Sequence, residues 1–109
     1  MAEPTLQEVL GAGATQDATT VTIVKANLPG LTPSATNTAE SLLAGVLLCA
    51  KNGLTKTTFD TNINQSIYIE AAYSGFIYRG TDNAQYRNDP LTINLAKADT
   101  TATIDPDDY

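Results

Sequence analysis

The chain has no histidine and a single cysteine, Cys49, so the side chains that most often do chemistry are nearly absent. Ser–His and Cys–His nucleophile pairs and histidine-bound metals are excluded within the chain. Neither a disulfide framework nor a structural zinc site can be built from one thiol. The acids left for general acid–base work are Glu40, Asp60 and Glu70, and they show no pairing that would tune one against another. Gly11-Ala12-Gly13-Ala14-Thr15-Gln16 begins like a dinucleotide fingerprint, but its sixth position is Gln16 and a strand is expected to follow where a helix is needed. Asp60, Asn62 and Asn64 stand at positions one, three and five of a calcium loop. Gln65 and Ala71 then occupy the positions that require glycine and glutamate, and the motif fails. Asn64-Gln65-Ser66 has the form of a glycosylation triplet, yet Met1-Ala2-Glu3-Pro4 shows neither the basic region nor the apolar run of a secretion signal, so chance is the better account. Asp105, Asp107 and Asp108 read as a solvated acidic terminus, and Cys49 as a buried, inert thiol. No catalytic residue, cofactor or metal is expected.

The residues with most to offer are aromatic. Tyr68, Tyr73, Phe76, Tyr78, Arg79, Tyr86 and Arg87 fall within 20 positions, and tyrosine with arginine is the composition of interface hot spots. The candidate interface set is Tyr68, Tyr73, Tyr78, Arg79, Tyr86 and Arg87, with Tyr109 at the C-terminus. The alternative is that these rings cap the chain's own core with their hydroxyls in water.

These residues need elements to hold them. Ala39, Leu42, Leu43, Val46, Leu47 and Ala50 recur at helical spacing and predict a principal amphipathic helix over about 38–52. Asn37 with Glu40 resembles its capping box, and Asn52-Gly53 its left-handed stop. A shorter helix is expected from Pro4 to Leu10, with Gly11 ending it. Threonine is unusually common, 17 residues against four serines, and it alternates with Val, Ile and Leu as strands require. Strands are expected at Thr19–Lys25, Leu54–Phe59, Ser66–Tyr73, Gly75–Arg79, Leu91–Ala96 and Thr100–Ile104, with polar turns at 80–84 and 87–90. In the strand from Ser66, Tyr68 has opposite parity to Ile67 and Ile69 and should leave their face. The 109 residues suffice for one domain. The fold expected is α+β: a small antiparallel sheet or sandwich, one principal helix, an N-terminal arm over about 1–18, and an extended acidic tail over about 105–109.

Six basic against twelve acidic side chains give a charge of −6 with no basic cluster, which disfavours nucleic acid and anionic membranes as partners. No apolar run is long enough to span a bilayer. The opening segment Met1–Gln16, the Leu-rich helix Ala39–Ala50 and the run Asp89-Pro90-Leu91-Thr92-Ile93-Asn94-Leu95 together resemble small virion structural proteins of tailed phages, particularly cyanophages. The likeness spans most of the chain. It implies a non-enzymatic, self-assembling or capsid-binding role in the virion. That role is a cement on major capsid subunits, present as a homo-oligomer, or alternatively a tail tube, neck or baseplate part. A host-surface adhesin using its Tyr and Asn side chains is a further alternative.

Overall fold

The computed structural model describes residues 2–98 and 103–109. Its longest element is helix α2, Ala39–Gly53, close to the expected span. Its cap is Thr38, whose Oγ accepts the Ser41 N–H at 3.1 Å, and not Asn37. Asn37 is spent one turn earlier: its carboxamide accepts from Ser34 N–H and donates to the Thr32 carbonyl, closing the preceding loop. The expected left-handed stop is also absent. Gly53 is the last helical residue and the chain turns at Leu54, φ −120° and ψ 67°. Glycine is needed at 53 for contact, since a Cβ there would lie 2.1 Å from the carbonyl oxygen of Glu8. That carbonyl belongs to helix α1, Leu6–Leu10, capped by Thr5 and ended by Gly11 at φ 102° as expected. The absent side chain lets α1 lie directly against the end of α2.

Two threonine-rich segments depart from expectation because hydroxyls and carboxylates take backbone donors that a strand would use. The strand expected at Thr19–Lys25 is reduced to β2, Val21–Thr22, paired with β1, Thr15–Gln16. Asp17 accepts both the Thr19 and Thr20 N–H groups at 2.8 Å, and Lys25–Asn27 closes a 3-10 turn. These amides hold the Asp17 carboxyl below its usual value of 3.8. The strand expected at Leu54–Phe59 is a helix, α3, Lys56–Thr61, because Thr55 caps it through Thr58 N–H and Lys56 pairs with Asp60 one turn on.

The second half is a long antiparallel hairpin. β3, Ile67–Ala71, pairs with β6, Leu91–Leu95, and β4, Gly75–Arg79, pairs with β5, Ala84–Asn88. Its tip needs Gly80 at φ 79° and Asn83 at φ 52°, with Asn83 N–H donating to the Gly80 carbonyl. Among the described residues the strands join only two by two, so the α+β class holds and the sandwich does not form. Thr100 to Ala102 of the last expected strand lie outside the described residues, while Thr103 and Ile104 form no strand. The tail is not extended. Asp105 caps a 3-10 turn at Pro106–Asp108, and Lys97 reaches Asp108 at 2.6 Å with its ammonium over the Tyr109 ring.

The core is small: Ala50, Leu54 and Ile69, with Val9, Ile67 and Leu91 packed around them. Two buried amides fasten the corner between α3 and β3. Gln65 donates to the Thr55 and Ile67 carbonyls and accepts from the Thr58 hydroxyl, so the polar capacity it brings inside is met. Asn62 donates to the Ala2 carbonyl at 2.8 Å, tying the N-terminal segment to the same corner.

Candidate functional site

The long hairpin changes character at one joint. Ala72 N–H still donates to the Pro90 carbonyl in the inner register, and Gly75 opposite Asn88 starts the outer one. Between them Tyr73 and Ser74 face the single residue Asp89, the two-against-one count of a β-bulge. A triangle of side chains closes the joint. Asp89 accepts from the Ser74 hydroxyl at 2.6 Å and from Arg87 Nε at 2.9 Å, and Arg87 also donates to Ser74. The Ser74 bond first, and the guanidinium second, hold the Asp89 carboxyl below its usual range.

Beyond the joint lies the candidate site, the β4–β5 ribbon. Every residue of both strands is exposed. Phe76 and Tyr78 share one face with Arg87 and Gln85, and Ile77 and Tyr86 share the other with Arg79 and Ala84. Phe76 is 62% exposed and Tyr78 65%, while Tyr73 on the bulge is 99% exposed. On the second face the Arg79 guanidinium sits 4.9 Å from the Tyr86 ring centre. Five of the seven expected interface residues, Tyr73, Tyr78, Arg79, Tyr86 and Arg87, therefore meet on the ribbon or its joint.

Two do not. Tyr68 leaves the isoleucine face as its parity required, but it stacks on Phe59 of α3 at 4.7 Å with Lys56 above both rings. Tyr109 is held by Lys97 at the tail. Phe76 and Ile77 belong to the site although the interface set omitted them, and the unbroken apolar run Phe76-Ile77-Tyr78 is the signal that marks them.

Away from the ribbon, an open groove of about 860 Å³ lies between α1, the 26–31 loop and α2. Two of its polar side chains are spent within the fold, Gln7 on the Ala14 carbonyl and Asn27 on that of Ala12. Glu40, Asp60 and Glu70 sit on α2, α3 and β3 respectively. Among the described residues no three Asp, Glu or Cys side chains gather as metal ligands would, and no helix is long and apolar enough to cross a membrane.

The whole surface shows the same lack of cover. The chain exposes 7927 Å², where a folded monomer of this mass exposes about 5,800 Å². Its radius of gyration is 16.5 Å against about 13 Å for a compact domain of this length. No known protein family, curated protein or solved structure matches the chain.

Proposed function

We propose that the chain is a non-enzymatic structural subunit of a tailed-phage particle, a cement or decoration protein that stabilises contacts between major capsid subunits at the capsid surface. The observation that carries an assembly role is the ribbon: aromatic residues on both faces and no cover from the chain's own body. Contiguous exposed apolar surface of this kind marks a contact with another macromolecule. The charge of −6 favours a protein partner over nucleic acid or an anionic membrane. The placement in a phage rests on the likeness of Met1–Gln16, Ala39–Ala50 and Asp89–Leu95 to small virion proteins.

The unpaired outer edges of β4 and β5 favour a second reading, a tail tube, neck or baseplate part whose rings close by strand pairing between subunits. Quantitative mass spectrometry of purified virions separates the two. Abundance close to that of the major capsid protein, with rebinding to capsids that lack the chain, is the expected result. A few to a few tens of copies moves it to the neck or baseplate, an intermediate count to the tail tube, and absence from virions ends both readings.

A further inference from the structure

We infer that β4 is the contact strand of a symmetric dimer, in which a second copy of this chain lays its own β4 antiparallel along the free edge, with the two-fold axis at Ile77. The pairing goes beyond the viral reading and does not need it, because it concerns the chain alone in solution.

An isolated two-stranded ribbon is marginal in water, and three or more strands are needed for independent stability. Pairing two ribbons through β4 makes four. Along the middle of that edge Phe76, Ile77 and Tyr78 run without the lysine or proline that usually blocks such strands, and the bulge and Arg79 stand only at its two ends. Symmetry then fixes the partners. With Ile77 opposite its own mate, each Phe76 faces the other copy's Tyr78, giving two aromatic cross-strand pairs, and each Arg79 faces Gly75, so no like charges meet. The same operation on β5 would set Gln85 against Arg87 and Ala84 against Asn88, with Tyr86 opposite itself, a poorer match.

Charge opposes the pairing least at this place. Residues 75–88 hold two arginines against one aspartate, whereas the rest of the chain holds four lysines against eleven carboxylates, so the repulsion between two copies is smallest where ribbon meets ribbon.

The test uses the full chain and sedimentation equilibrium. A dimer is expected, tightening with added salt as the net repulsion of two acidic chains is screened. Ile77→Asp sets two carboxylates opposite each other and should raise the dissociation constant about tenfold or more. Because 77 is exposed on the ribbon, circular dichroism of that variant should match the parent at dilutions where both are monomeric. In a second arm, Ile77→Cys should cross-link to itself on mild oxidation. Gln85→Cys should not, since three strand spacings, about 14 Å, would separate its two copies. A chain that stays monomeric at its highest attainable concentration overturns the proposal. So does a dimer that survives Ile77→Asp, or one that cross-links through position 85 in preference to 77. Dimers that ignore capsids would remove the viral reading alone, and capsid binding by a monomer would remove only this one.

Discussion

The two halves of the long hairpin have the same strand length and the same antiparallel pairing, and they are joined through a single bulge, yet they use their apolar residues in opposite ways. In the inner half, Ile67, Ile69 and Ala71 share a face with Leu95, Ile93 and Leu91, while Tyr68, Glu70, Thr92 and Asn94 take the other. That alternation gives the sheet one apolar face, whose Ile67, Ile69 and Leu91 pack on the core with Ile69 5% exposed, while Ile93 and Leu95 at its far side stay 45% and 42% exposed. In the outer half, Phe76, Ile77 and Tyr78 follow without a break, so both faces carry apolar side chains and every residue of both strands is exposed. An alternating strand has its partner within the fold. A strand that abandons alternation outside the core has its partner elsewhere.

Paired substitutions test this contrast. Ile69→Ala should cost about 2–5 kcal/mol in urea unfolding of the dilute chain, the range for a buried side chain that leaves a cavity. Ile77→Ala should fall within about 0.5 kcal/mol of the parent under the same conditions. Similar losses at both positions would mean that the ribbon is packed within the monomer. Glycine gives a second pair with a smaller expected difference. Gly53→Ala drives a methyl into the Glu8 carbonyl and should cost about 1–3 kcal/mol, whereas Gly75→Ala meets nothing within 4 Å and should be neutral or slightly stabilising.

The joint between the halves supplies the smallest effect, one of pH. Asp89 titrates below its unfolded value, so its contribution is present above about 3.8 and is lost as pH falls through the lower folded value. An NMR titration should show the Asp89 carboxyl and the amides around Ser74 and Arg87 shifting together below that range. Amides of β3 and β6 should stay unmoved. Movement of the inner strands with Asp89 would mean that the bulge does not insulate the two halves.

Legibility followed the same division. The α2 stripe, the Gly11 stop and the alternation of Ile67, Ile69, Leu91, Ile93 and Leu95 were readable because core contact imposes periodicity on sequence. β5 was not, since Ala84-Gln85-Tyr86-Arg87-Asn88 has no apolar period and forms by register with β4 across the Gly80–Asn83 turn. Capping chemistry caused the sharpest error. The β-prone run Leu54–Phe59 became helical once Thr55 bonded Thr58, a competition between side chain and backbone that composition does not resolve. Asn37 was read as the cap of α2, but the loop claimed the asparagine and the next residue, Thr38, caps the helix instead. For the site, residue type was informative and placement was not: Tyr68 and Tyr86 look alike in sequence, but only Tyr68 has a Phe59 to stack on.

The central claim is that the chain stabilises the inner half itself and leaves the outer half to another subunit. Hydrogen–deuterium exchange resolved to residues 67–71, 75–88 and 91–95 tests it most directly, run on the dilute chain and again at the concentration where it assembles. The account predicts protected inner strands in both states, with protection of 75–88 arising only on assembly. Ribbon amides as protected as β3 and β6 in the dilute chain would contradict it.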